Sequence, residues 1–84
     1  FNIVLDEQGE SLDSLEFAKL LQDKTKINFF VGGAYGFGDS FLNLCDKKIS
    51  LSKLTYSKDL AYIVLCEQIY RGLSIINKHP YHKI

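Results

Sequence analysis

The seven residues Leu60-Ala61-Tyr62-Ile63-Val64-Leu65-Cys66 are apolar without interruption, inside a stretch from Lys58 to Asn77 that contains no proline. Such a run can be a buried strand or a helix that lacks a polar face. The length of the stretch favours the helix, and Ser57 or Asp59 can cap it. A helix that is apolar all round has to be covered on more than one side. A sheet built from the rest of an 84-residue chain covers one side only, so the run predicts a second copy of the chain as the other cover. The run is also far below the ~20 residues that span a bilayer, so no membrane partner is expected.

The remaining segments supply the sheet. Phe1-Asn2-Ile3-Val4-Leu5 reads as a strand stopped by a polar loop, Asp6-Glu7-Gln8-Gly9. Asp13 or Ser14 can cap a helix through Gln22, with Leu15, Ala18 and Leu21 as its apolar stripe and Phe17 and Leu20 beside them. Ile27 to Val31 is a second strand, apolar on both faces as burial between helix layers requires. Asp39 or Ser40 can cap a short helix to Asp46, and Lys48 to Ser52 alternates as a third strand. Strands alternating with helices predict a parallel α/β sheet, and residues 1–84 read as a single domain.

Ten basic and ten acidic side chains balance overall, but not along the chain. Residues 1–30 carry three basic against six acidic, residues 31–57 three against two, and residues 58–84 four against two. With His79 and His82, the C-terminal end is the natural place for an anionic partner, although a solvated face produces gradients of this size too. Cys45 and Cys66 form no dense framework, which fits a reduced, cytoplasmic setting. No basic-then-apolar signal pattern opens the chain.

Three clusters could carry chemistry. Gly32 to Gly38 follows a strand at the edge where parallel sheets bind ligands, yet it matches neither the P-loop nor GxGxxG and could equally be a tight turn. His79-Pro80-Tyr81-His82 with the two cysteines fits no common zinc spacing, so no metal is expected. Pro80 ends the preceding helix, while Arg71, Lys78, Lys83 and the tail's Tyr and His combine groups that stack on a base, move a proton and hold phosphate. Glu67 and Arg71 stand at i and i+4, first of all as an ion pair. Their charges come directly after the apolar run, where something must use or pair them.

Taken together, Phe30-Val31-Gly32-Gly33-Ala34-Tyr35-Gly36, Leu51-Ser52-Lys53-Leu54-Thr55, Glu67-Gln68-Ile69-Tyr70-Arg71-Gly72-Leu73-Ser74-Ile75 and Asn77-Lys78-His79-Pro80-Tyr81-His82 resemble the RlmH group of SPOUT methyltransferases. The resemblance implies a homodimeric enzyme with an α/β trefoil knot that uses S-adenosylmethionine to methylate N3 of a pseudouridine in large-subunit ribosomal RNA. Matching positions place the cofactor against Leu5, Gly33, Ser52, Lys53, Leu54, Thr55, Tyr56 and Ser57. Arg71, Tyr81 and His82 match the RNA-side catalytic residues and would complete the partner subunit's site; by their own chemistry Arg71 and the tail suit positioning of the nucleotide, and His82 or Glu67 removal of the proton. Ala34-Tyr35 stands where the family has Pro-Glu, and Tyr56-Ser57-Lys58 replaces Leu-Pro-His, so the cofactor loop lacks a proline's stiffness. Members of the group also have further N-terminal strands, so the chain reads as the C-terminal part of a longer protein. An inactive cofactor- or RNA-binding module and a purely structural dimerisation domain are the rival expectations.

Overall fold

A computed structural model of the chain describes residues 1–32 and 37–83. Three strands, β1 (Asn2–Ser11), β2 (Asn28–Phe30) and β3 (Lys47–Ser50), alternate with helices α1 (Ser14–Asp23), α2 (Asp39–Leu44) and α3 (Lys58–Ile76). All pairings are parallel and the strand order is β2-β1-β3, the α/β parallel sheet expected from the alternation. Ile3 and Val4 of the central strand are both fully buried, which adjacent residues can be only if both faces of the sheet are covered.

Ile3 packs with Phe17 of α1, Ile49 of β3 and Leu65 of α3. On β2, Phe29 meets Phe17 at 6.0 Å, whereas its neighbour Phe30 meets Phe41 of α2 edge-on at 5.2 Å. Helices α1 and α3 therefore share one face and α2 covers the other. The order β2-β1-β3 demands this, because right-handed crossovers running in opposite directions along a sheet leave their helices on opposite faces.

Several boundaries depart from the sequence reading. The segment Asp6–Gly9 is not simply a loop that ends the first strand: Leu5 and Glu10 both register with Ile49, so four residues leave the ladder as an irregular bulge and β1 resumes to Ser11. The Lys47–Glu10 ion pair at 2.8 Å fastens the returning strand. β2 is an edge strand with an exposed Asn28 and half-covered phenylalanines, not a strand buried between layers, because nothing pairs with its outer side among the described residues. At α2 neither Asp39 nor Ser40 caps; Gly38 occupies that position without a side-chain bond, and the helix ends at Leu44 rather than Asp46. On α1, Leu15 is exposed while Phe17 and Ala18 carry the burial.

The long helices start as read. Asp13 caps α1 in a reciprocal box with Glu16, and Ser57 Oγ accepts from the Leu60 N–H at the start of α3. Buried Gly72 lets α3 approach α1, its α-hydrogens facing Leu21, Ala18 and Phe17. The apolar run is helical, but only Leu65 in it is buried. Leu60, Tyr62, Ile63 and Cys66 lie on the outer side, with Tyr70 and Leu73 further along.

Candidate functional site

The sequence-derived positions fall into two groups at the two ends of α3. The first lies at the carboxyl edge of the sheet. Leu5 is half-buried at the last residue of β1 before the bulge, in register with Ile49. Gly33, with Ala34 and Tyr35, lies outside the described residues. Ser52 to Ser57 connects β3 to α3 without regular structure: Ser52 and Tyr56 are half-buried, and Lys53, Leu54, Thr55 and Ser57 are exposed.

Local hydrogen bonds shape that connection. Ser50 Oγ donates to the Ser52 carbonyl at 2.8 Å, and Ser52 Oγ accepts from the Leu54 N–H at 2.9 Å, a serine turn that folds the backbone tightly. The loop after β1 leads to one face of the sheet and the loop after β2 to the other, so their carboxyl ends flank the kind of switch point at which open α/β sheets receive ligands. Beside it an open cleft of about 350 Å³ runs between β2 and the first turns of α3, lined by Phe29, Val31, Lys58, Asp59 and Tyr62.

The second group is the tail, and a helix-ending motif creates it. The Lys78 N–H donates to the Ile75 carbonyl at 3.1 Å and the His79 N–H to the Ser74 carbonyl at 2.8 Å, the paired bonds of a Schellman motif. Lys78 takes the left-handed conformation at the reversal, with φ 58°. Pro80 cannot continue a helix, and the chain turns back along α3.

That reversal brings Tyr81 and His82 to Glu67 and Arg71. Arg71 holds Glu67 with a fork, Nη2 to Oε2 at 2.8 Å and Nε to Oε1 at 3.4 Å. Tyr81 donates its hydroxyl proton to Glu67 Oε2 at 2.7 Å, and Arg71 Nη1 lies 3.1 Å from His82 Nδ1. The Arg71 guanidinium also sits 4.8 Å over the Tyr81 ring, which Tyr70 meets edge-on at 4.7 Å. Arg71, Tyr81 and His82, named from sequence as one functional set, are thus in mutual contact.

The electrostatics follow from these bonds. Hydrogen bonds first from Arg71 and then from Tyr81 hold the Glu67 carboxyl below the ordinary value of 4.5. The same carboxylate, by accepting the phenol's proton in a hydrogen bond, pushes Tyr81 above its ordinary 10.0. Arg71 is raised further by Glu67 and stays charged. A carboxylate so fully engaged is a poor proton acceptor at neutral pH, which weakens the expectation that Glu67 removes a proton. Because guanidinium only donates, the Arg71–His82 contact is a hydrogen bond in the tautomer that presents Nδ1 as acceptor. The first-choice reading of Glu67 and Arg71 as an ion pair holds, but it is an ion pair that organises two further groups.

The two ends do not meet within one chain. Ser57 and Arg71 are separated by fourteen residues of helix, roughly 20 Å at 1.5 Å per residue. Among the described residues no group of three His, Cys, Asp or Glu side chains could hold a metal ion, and no helix is long and apolar enough to cross a membrane.

Comparison with known proteins points the same way. A family model described as "Predicted SPOUT methyltransferase" matches residues 1–82. The chain is 58% identical over 83 residues to the ribosomal RNA large subunit methyltransferase H of a Nitratiruptor species, covering 99% of this chain and 54% of that protein. To proteins of the same name in a Sulfurovum species and in Aliarcobacter butzleri it is 52% and 53% identical, covering 98% and 99% of this chain and 54% and 55% of theirs. The chain therefore spans about half the length of the curated relatives it matches. With a parallel α/β sheet, a loop-lined carboxyl edge and a family match across nearly every residue, the chain belongs to the SPOUT methyltransferase family.

Proposed function

We propose that this chain is the cofactor-binding, tail-bearing domain of a homodimeric, cytoplasmic methyltransferase that transfers a methyl group from S-adenosylmethionine to N3 of a pseudouridine in large-subunit ribosomal RNA. The observation that carries the reading is the assembly of Arg71, Tyr81 and His82 around Glu67 on the basic end of a chain whose relatives are named for ribosomal RNA methylation. In this reading residues 1–84 act as one unit and the loops after the strands form an α/β trefoil knot.

Leu5, Gly33, Ser52, Lys53, Leu54, Thr55, Tyr56 and Ser57 are the proposed cofactor contacts. The irregular backbone from Ser52 to Ser57 suits adenine and ribose, since its main-chain N–H and C=O groups, apart from the Ser57 carbonyl that accepts from the Ala61 N–H, lie outside the strand and helix ladders. The cofactor supplies an electrophilic methyl group on sulfonium sulfur. The chain's task is to align the attacking nitrogen and take its proton. Arg71 suits an RNA phosphate, the Tyr81 and Tyr70 rings suit the base, and His82 gains a free Nδ1 as proton acceptor once Arg71 turns to phosphate.

The roughly 20 Å between the loop and tail ends of α3 supports the dimer in this reading. Two copies related by a two-fold axis perpendicular to α3 and passing through its exposed side can bring one protomer's tail to the other's loop, and the same contact covers Leu60, Tyr62 and Ile63. The test is calorimetric titration with S-adenosylmethionine, followed by incubation of the full chain with pseudouridine-containing ribosomes and labelled cofactor. Saturable binding and label in the ribosomal RNA are expected. Binding without transfer would leave a cofactor-binding module in place of an enzyme, and absence of both would sink the reading.

A further inference from the structure

The Glu67 carboxylate accepts one bond from a group other than Arg71 and Tyr81. Gln68 Nε2 donates to Glu67 Oε1 at 2.9 Å, and Gln68 Oε1 accepts from Ser14 Oγ at 3.0 Å. Consecutive side chains on a helix point in different directions, so a bond between residues 67 and 68 forms only if something turns the amide toward the carboxylate. Ser14 can do so because it opens α1, directly after Asp13, whose reciprocal bonds with Glu16 fix that helix start. The packing of α1 against α3 around Gly72 then sets where the hydroxyl stands relative to α3.

Counting Arg71 and Tyr81, four bonds use both oxygens of Glu67. Arg71 and Tyr81 both need Oε2, so a modest rotation of the carboxylate would cost one of them its partner. Beside the Arg71 Nε bond to Oε1, the Gln68 bond is the restraint on that rotation that comes from neither Arg71 nor Tyr81. We propose that Gln68, anchored by Ser14 on α1, is a positioning residue that fixes the Glu67 carboxylate so that Arg71 and Tyr81 are held together. The proposal rests on the reading of Arg71 and Tyr81 as RNA-side groups, and it makes the helix pair α1–α3 part of the site's support.

The experiment uses the full chain with Gln68→Leu, Ser14→Ala and Ser14→Thr. Tyrosinate absorbance is followed against pH, with Tyr81→Phe identifying the Tyr81 step, and methyl transfer to ribosomes is measured in parallel. With Gln68→Leu, the Tyr81 step should move down toward 10.0. The transfer kcat should fall on the order of tenfold, a displacement effect, while KM for S-adenosylmethionine stays unchanged. Ser14→Ala should give a smaller change in the same direction, and Ser14→Thr, which keeps the hydroxyl, should restore both. Unchanged Tyr81 titration and unchanged kcat in Gln68→Leu and Ser14→Ala would overturn the proposal, whatever happens to thermal stability. If the unsubstituted protein transfers no methyl but the Tyr81 step still responds to Gln68→Leu, the positioning role stands and the enzymatic reading falls.

Discussion

Glu67 and Tyr81 hold the tail through a single carboxylate, and their opposite pKa shifts define when it is held. Glu67 is depressed in the folded state, so its contribution is complete above the ordinary 4.5 and lost as pH falls through the lowered value. Tyr81 is raised, so its contribution is complete below 10.0 and lost as pH rises through the raised value. The tail is expected to stay docked across the whole interval between, as followed by NMR relaxation of the Tyr81 and His82 amides. Release near pH 7 would contradict this account. Lys78 offers a second test at this scale, because an L-residue at φ 58° occupies a conformation that glycine adopts freely. Lys78→Gly should raise stability by up to about 1 kcal/mol, seen as a higher Tm, since relief of strain exceeds the added freedom of the unfolded chain.

The elements differ in how much a neighbour can yield. A Cβ on Gly9 would stand 2.8 Å from the Ile49 backbone N and C and from the Lys48 carbonyl carbon, where the returning part of β1 presses on β3. Backbone in a ladder cannot move aside, so Gly9→Ala should cost about 1–3 kcal/mol in urea denaturation. A Cβ on Gly72 would also be close, 2.7 Å from Leu21 Cδ1, but that is the tip of a half-buried side chain that can turn. Gly72→Ala should stay within about 1 kcal/mol of the parent, because alanine's better helix propensity offsets the repacking. If both substitutions cost the same, the distinction between a rigid and a yielding neighbour would be wrong.

Across the whole molecule, the outer side of α3 sets the expected assembly. Ile63 is 61% exposed and Tyr62 59% exposed, on a helix whose opposite side carries buried Leu65. Contiguous apolar exposure of this kind suits an interaction surface, and the proposed two-ended site would give a second copy a reason to bind there. Ile63→Asp should leave the fold intact, since the side chain takes little part in the core, and weaken dimerisation by about 2 kcal/mol or more. Sedimentation velocity over a concentration series measures it. A wild-type monomer, or a dimer that Ile63→Asp does not affect, would remove α3 as the interface.

How much of this was legible in the sequence depended on how local the cause was. The alternation of elements, the Asp13 and Ser57 caps, the helix over the apolar run and the Glu67–Arg71 pair all follow from short-range spacing, and the motifs from Phe30 to His82 were enough to indicate the family. The bulge at Asp6–Gly9 was not legible, because composition alone cannot tell a polar loop from residues that leave a ladder and rejoin it. The edge position of β2 depends on strand order, and strand order is decided by which long-range contacts bury the most surface. Tyr81 meets Glu67 only because the chain reverses at Lys78, and Gln68 meets Ser14 only because α1 packs on α3. Sequence thus named the tail's chemical groups through local pattern, while the tertiary structure alone determined what holds them, since those contacts join residues that local pattern does not connect.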